Sequence, residues 1–202
     1  MKFIETKKKF SIQQKIKKMN YLLRLSIVIV ASFTICSCAS KSKKAPEANE
    51  PDDRGYIVRV GQTAPDFTTL LMDSTQFTLS EQRGKVVMLQ FTASWCGVCR
   101  KKMPHIENEI WLPLKDKGLV VVGVDRGEPI ETVIAFAEKM EITYPLALDE
   151  ESEIFGLFAL KNTGVTRNVV VDKKGKIAFL TRLFDEEEFK KMIETIEVLI
   201  EK

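Results

Sequence analysis

From residue 55 onward, short apolar blocks alternate with stretches whose apolar positions recur every three or four residues. The block at 85–92 (Lys-Val-Val-Met-Leu-Gln-Phe-Thr) is apolar on both sides of a pleat and predicts a strand buried on both faces. Residues 96–117 carry helical spacing, with a kink expected at Pro104, which has no backbone N–H to give. Gly118 ends that helix and 119–124 is the next strand. Pro129 opens a second helix, in which Ile130, Val133, Ile134, Ala137 and Met140 recur at helical spacing. A short strand at 145–148 and a helical stretch at 151–158 follow. Strands at 168–172 and 176–180 flank Lys173-Lys174-Gly175 and predict a hairpin. An amphipathic helix closes the chain from a cap at Asp185, with Phe189, Met192, Ile193, Ile196 and Leu199 inward. Residues 56–79 predict a further hairpin-like layer ahead of the first core strand. Together these elements imply an α/β fold with a mixed central sheet covered by helices on both faces.

The first 54 residues follow a different pattern. Lys7, Lys8, Lys9, Lys15, Lys17, Lys18 and Arg24 form a basic lead, and an apolar run extends over 21–35. That run falls short of the ~20 residues a membrane-spanning helix needs and ends in small residues, so it reads as a secretory signal peptide. Ile35-Cys36-Ser37-Cys38 resembles the lipobox of bacterial lipoproteins, which implies lipidation at Cys38. The alternatives are an uncleaved anchor or ordinary signal cleavage, and Met19 is an alternative start to Met1. Residues 39–54 contain no large apolar side chain and predict a flexible tether. The expected organisation is a signal at 1–37, a tether at 38–54 and a folded domain at 55–202. Composition changes with processing. Residues 1–37 hold eight Lys/Arg and one Glu, so their removal turns a formal net charge of +3 into −4. The basic balance belongs to the targeting segment and argues for no nucleic-acid partner. Of four cysteines, only Cys96 and Cys99 remain in the domain.

Those two residues carry the chemistry. A bond between them closes a very small loop, whereas stabilisation of the unfolded-state kind grows with loop length and reaches ~3 kcal/mol near 15 residues. Such a bond is poorly placed as a staple and better placed to open and close. The motif follows a buried strand and starts a helix, where unpaired N–H groups and the dipole stabilise a thiolate. Cys-x-x-Cys centres there have thiol pKa values lowered from ~8.5 to roughly 3.5–7.5. Cys96 is expected to form the mixed disulfide and Cys99, deeper by a turn, to resolve it. Trp95 would wall the exposed sulfur.

Gly61-Gln-Thr-Ala-Pro-Asp-Phe67, Leu79-Ser80, Gly84-Lys-Val-Val, Trp95-Cys-Gly-Val-Cys-Arg100, Met103-Pro104, Gly164-Val165, Val171-Asp172 and Gly175 together resemble the TlpA/ResA branch of the AhpC/TSA–thioredoxin superfamily. The resemblance covers roughly residues 56–202. It implies a membrane-tethered, extracytoplasmic (periplasmic-side) thiol–disulfide oxidoreductase without cofactor or metal. Its implied partners are protein disulfides or thiols such as those of cytochrome c apoproteins, a membrane thiol donor and, through Cys38, the lipid bilayer. Trp95, Gly97, Val98, Val165 and Thr166 are the implied substrate-docking residues. The chain departs from the pattern in three places. Thr166 stands where the family has a cis-proline, and since a cis bond before a non-proline residue costs ~2.5–4 kcal/mol, Val165–Thr166 is expected to be trans. Arg167 then adds a charge near the site. Lys102 replaces a glutamate three residues after the second cysteine, and Gln90, read as a core amide, replaces a buried aspartate, leaving water, Glu81 or Glu107 for proton transfer.

Two rival functions use the same residues. A thiol peroxidase needs Thr or Ser three residues before its cysteine and a proline upstream, where Ala93 and Leu89 stand. A metal-binding module would use Cys96, Cys99 and His105, the sole histidine. Other features read as structural: Trp111, Leu112 and Leu114 as core, Glu186–Glu188 as a solvated helix start, and Asp125-Arg126-Gly127 as a loop.

Overall fold

The computed structural model describes residues 50–202; the expected signal segment, with Cys36 and Cys38, and the part of the expected tether up to residue 49 lie outside the described residues. An antiparallel ribbon, β1 (Thr68–Leu70) with β2 (Gln76–Thr78), comes first, followed by a 3-10 turn and the core strand β3 (Val86–Thr92). Next come helix α1 (Gly97–His105) with its irregular continuation to residue 117, strand β4 (Leu119–Arg126), helix α2 (Ile130–Met140) and strand β5 (Leu146–Asp149). Helix α3 (Glu153–Phe158), the hairpin β6 (Arg167–Val171) and β7 (Ile177–Arg182), and helix α4 (Glu186–Glu201) complete the chain.

Five strands form one sheet in the order β5-β4-β3-β6-β7. β3 runs parallel to β4, and β4 to β5, while β6 is antiparallel to both β3 and β7. The mixed topology follows from the connections, since helical crossovers join parallel strands and a short turn joins antiparallel ones. All seven residues of β3 are buried, as its largely apolar run, interrupted by Gln90, requires of a central strand. Its alternate side chains feed two cores. Val87, Leu89 and Phe91 pack with Phe67, Phe77, Phe155 and Phe158 on one face. Val86 and Met88 pack with Met103, Ile106, Val133, Phe136, Phe189 and Met192 on the other. Two aromatic pairs of the first face lie edge-on, Phe67 against Phe158 and Phe91 against Phe155, the latter with centroids 5.5 Å apart at 87°, an arrangement that suits the ring quadrupoles.

The N-terminal segment is tied to the hairpin. Asp52 accepts hydrogen bonds from the backbone of Arg54 and Tyr56, and the Arg54 side chain donates to the Leu180 carbonyl. Tyr56, buried, places its hydroxyl 2.7 Å from the Thr181 carbonyl and 3.1 Å from that of Asn168. Replacing Tyr56 by Phe is expected to cost about 1 kcal/mol, the usual worth of one buried hydrogen bond. The urea-unfolding midpoint checks this; an unmoved midpoint would mean that the hydroxyl contributes nothing.

Three details differ from the sequence pattern. The predicted single helix over 96–117 instead changes character at residue 106. Leu112 N–H donates to Glu107 C=O, five residues back, so Ile106–Trp111 is a π turn; short α and 3-10 turns follow, ending on Gly118 at φ 93°. Pro104 sits just ahead of it and deprives the Arg100 carbonyl of its partner, which is where the regular ladder weakens. In α2 the buried residues are Val133, Phe136 and Ala137, and Ile134 is exposed. Leu112 also points outward, since the π turn rotates it off the buried face, while Leu114 stays in the core.

Candidate active site

α1 starts where it does because Cys96 takes the N-cap. Its backbone is extended (φ −83°, ψ 102°) and its Sγ accepts the Cys99 N–H at 3.2 Å. A sulfur thus does the work that Ser, Thr or Asp usually does at this position, and it occupies the positive end of the helix dipole. Cys96 and Cys99 are joined in a disulfide with Cα atoms 5.2 Å apart. Cys96 is 7% exposed and Cys99 is 0% exposed, so only the first sulfur is open to an incoming group. Trp95, 60% exposed, projects beside it, with Gly97 and Val98 on the same rim.

Beneath the pair lies the segment leading into β6. Val165 is buried, and the Thr166 hydroxyl oxygen lies 3.1 Å from Cys96 Sγ and 3.3 Å from Cys99 Sγ. No cis peptide occurs among the described residues, so Val165–Thr166 is trans, as expected for a non-proline residue. The sequence-predicted residues Trp95, Cys96, Gly97, Val98, Cys99, Val165 and Thr166 therefore gather at one end of the sheet. Arg167 does not join them. Its side chain turns to the opposite face, where its guanidinium stacks 5.1 Å from the Tyr56 and Phe155 ring centroids and donates to the carbonyls of Gly164 and Arg54. Period-two alternation forces this: Thr166 faces the sulfurs, so Arg167 must face away.

Behind α1 stands a buried cation. Lys102, 2% exposed, sends Nζ to the Leu183 carbonyl at 2.9 Å and the Thr181 hydroxyl at 3.3 Å. The Asn168 amide, oriented to satisfy its neighbours, adds its oxygen at 2.7 Å. Burial lowers the Lys102 pKa to about 8; Glu188 works against that shift and Arg182 with it. Gln90 is a core amide whose oxygen accepts from the Tyr144 hydroxyl at 2.7 Å. Glu107 accepts from the Thr143 N–H and hydroxyl, which ties it to the start of the β5 connection and not to the sulfurs.

One acidic feature was not legible as a site residue. Asp125, read as part of a loop, is the penultimate residue of β4 and fully buried, in register with Thr92. As a carboxylate neither of its oxygens finds a donor. Burial first, then the charge and hydrogen bonding of Glu128, then Asp149, raise its pKa to about 8, so a protonated Asp125 donates to Glu128. Glu128 in turn accepts from the Ser94 N–H at 2.6 Å and the Ser94 hydroxyl at 2.5 Å, two residues before Cys96. The signal in the sequence was an acid continuing an otherwise apolar strand, with Gly127 as its stop.

His105 pairs with Glu109 through Nδ1 at 2.6 Å and lies tilted against Phe184, ring centroids 5.0 Å apart. Among the described residues no group of three or more His, Cys, Asp or Glu side chains is arranged to hold a metal. What the arrangement can do is exchange disulfides. An N-capping sulfur at the surface, a second sulfur buried behind it and a hydroxyl touching both suit a bond that opens by thiolate displacement.

Comparison with known proteins agrees with that geometry. Residues 60–180 match the model of the AhpC/TSA family. The thiol–disulfide oxidoreductase ResA of Geobacillus kaustophilus is 32% identical over 141 residues, covering 69% of this chain and 79% of its own. Among solved structures, a Bacteroides thetaiotaomicron protein proposed to be a protein disulfide isomerase is 56% identical, with TM-score 0.71 over 73% of this chain and 94% of its own. A Chlorobium tepidum protein proposed to be a thiol:disulfide interchange protein DsbE is 25% identical, with TM-score 0.62 over 71% and 99% of the two chains.

Proposed function

The chain belongs to the AhpC/TSA family and is a thiol–disulfide oxidoreductase, and from that premise we propose that it reduces protein disulfides outside the cytoplasm while anchored to lipid through Cys38. Cys96 attacks the substrate disulfide as a thiolate, giving a mixed disulfide and one substrate thiol. Cys99 then attacks Cys96 Sγ, releasing the second substrate thiol and leaving the Cys96–Cys99 bond. A membrane thiol donor returns the pair to its reduced form. The observation that carries the reading is the asymmetry of the two sulfurs: Cys96 caps the helix at the surface and Cys99 is wholly buried behind it. Trp95, Gly97, Val98, Val165 and Thr166 form the docking rim, and the Trp95 face suits an extended client segment bearing the disulfide. Clients of this kind include apoproteins, such as those of cytochrome c, whose cysteines must be reduced before use.

Anchoring is supported by the basic lead, the short apolar run and the Ile35-Cys36-Ser37-Cys38 motif. Among the described residues no helix is long and apolar enough to cross a membrane. Two measurements test the proposal. The reduced protein is expected to cleave insulin disulfides and to consume no peroxide; peroxide turnover that depends on Cys96, without disulfide cleavage, would overturn the reductase assignment. Cells treated with an inhibitor of the lipoprotein signal peptidase are expected to accumulate a larger precursor. A single processed size with and without the inhibitor would remove Cys38 from the scheme.

A further inference from the structure

One hydroxyl serves two sulfurs in this site. Thr166 Oγ1 is within hydrogen-bonding reach of both Cys96 Sγ and Cys99 Sγ, and Thr166 is 5% exposed. The residue is held from behind. Its carbonyl accepts the Leu183 N–H at 3.3 Å and an Arg182 guanidinium N–H at 3.2 Å, while Lys102 Nζ grips the Leu183 carbonyl at 2.9 Å. A hydroxyl carries one rotatable hydrogen, so it donates to one sulfur at a time. A sulfur in a disulfide is a weak acceptor, whereas a thiolate accepts a charge-assisted bond about twice as strong as a neutral one. The contact therefore strengthens as the S–S bond opens, which is the behaviour expected of a group that lowers a barrier rather than one that holds the resting state.

Resting on the disulfide-exchange reading above, we infer that Thr166 is a catalytic residue whose hydroxyl donates first to the attacking Cys96 thiolate and then to the resolving Cys99 thiolate. In the first step the Cys96 thiolate displaces one substrate sulfur as a thiolate, and the substrate S–S bond is exchanged for a Cys96–substrate bond. Cys96 then carries no charge, and the hydroxyl rotates to Cys99. In the second step the Cys99 thiolate displaces the remaining substrate sulfur from Cys96. Two electrons pass from the cysteine pair to the substrate disulfide, and the two protons lost by the pair reach the departing thiolates through water. Thr166 gives up no proton in either step; it supplies a hydrogen bond.

The test is Thr166→Val, which keeps the shape and removes the donor, beside Thr166→Ser, which keeps the donor. The thiolate absorbance of the reduced protein is titrated against pH without substrate. Around the pair, Arg100 and Lys102 on α1, Glu128 after β4 and Arg182 on β7 are the same in both variants, so their fields cancel in the comparison. For Thr166→Val the Cys96 titration is expected to move up by about one pH unit, and exchange with glutathione at neutral pH to slow about tenfold. The equilibrium with glutathione is expected to shift about tenfold toward the oxidised pair, or about 30 mV. Thr166→Ser is expected to stay within about twofold of the parent. An unmoved thiol titration in Thr166→Val overturns the assignment, even if that variant is less stable. Should Thr166→Val fail to fold, Thr166→Ala read against Thr166→Ser gives the same comparison. Loss of the reductase reading would show differently, as a parent protein that cleaves no disulfide whatever its thiol titration.

Discussion

Cys96→Ser is expected to abolish disulfide exchange, lowering its rate by at least about a thousandfold, while Cys99→Ser stops turnover after one half-reaction. The first expectation follows from ionisation. The nucleophile in exchange is a thiolate, and a serine hydroxyl in the same N-cap stays un-ionised at neutral pH whatever the helix dipole supplies. The cap itself survives, because a serine oxygen accepts the residue-99 N–H as well as sulfur does, so Cys96→Ser should fold normally. The second expectation follows from burial. With residue 99 a serine, the mixed disulfide on Cys96 has no internal attacker, and it should accumulate one-to-one with substrate. A non-reducing gel and intact mass measure both outcomes. A Cys96→Ser protein that still traps substrate, through Cys99, would reverse the roles assigned here.

Asp125→Asn is expected to flatten the fall of stability with rising pH and to stabilise the oxidised protein by a few kcal/mol near pH 8. The folded pKa of Asp125 is raised to about 8, against ~3.9 in the unfolded chain. Between those values the native state holds the extra proton, so stability falls as pH rises, being fully present below about pH 4 and lost through about pH 8. Four pH units at ~1.36 kcal/mol each set an upper limit of ~5 kcal/mol, which hydration and relaxation reduce. Lys102 works in a separate window. Its folded pKa is lowered to about 8 from 10.5, so the native state sheds its proton first and stability rises with pH above about 8. Urea unfolding of the oxidised protein between pH 5 and 8 therefore isolates Asp125, because the disulfide cysteines do not titrate. Curves for parent and Asp125→Asn that run parallel over that range would refute a neutral, buried Asp125. Functionally, the carboxyl that holds a proton near neutral pH lies beside Glu128, which accepts from Ser94 at the entrance to the Cys96 turn.

The strands were legible because their signals are local. A largely apolar run such as 86–92 has few alternatives to a central strand, and Lys173-Lys174-Gly175 marks its own turn. The redox pair was legible because two cysteines at one spacing, on a strand-to-helix junction, constrain the chemistry. What escaped was whatever depends on which way a polar side chain points once the sheet closes. Lys102 stood in sequence as a substitute for a glutamate beside the pair, yet the helix phase that buries Cys99 and Met103 buries it as well, and the Leu183 carbonyl, the Thr181 hydroxyl and the Asn168 amide oxygen make that tolerable. Arg167 looked like a neighbour of the sulfurs in sequence and became a neighbour of Tyr56 and Phe155 in space. Asp125 was hidden by the convention that charged residues after a strand begin a loop. Lys102, Arg167 and Asp125 are buried ionisable groups; the first two are placed by partners distant in sequence, and Asp125 by burial beside Glu128.

The π turn at Ile106–Trp111 has a consequence for how this site can change over evolutionary time. Each residue added to a regular helix rotates everything beyond it by about 100°. An extra residue spent in one wide turn uncouples the two halves: the half bearing the sulfurs can be phased for chemistry, and the half bearing Leu114 for adhesion to the core. The turn works as a swivel joint between a reactive tip and an anchored shank. Lineages that lengthen or shorten that joint would re-aim the cysteines without rebuilding the interior.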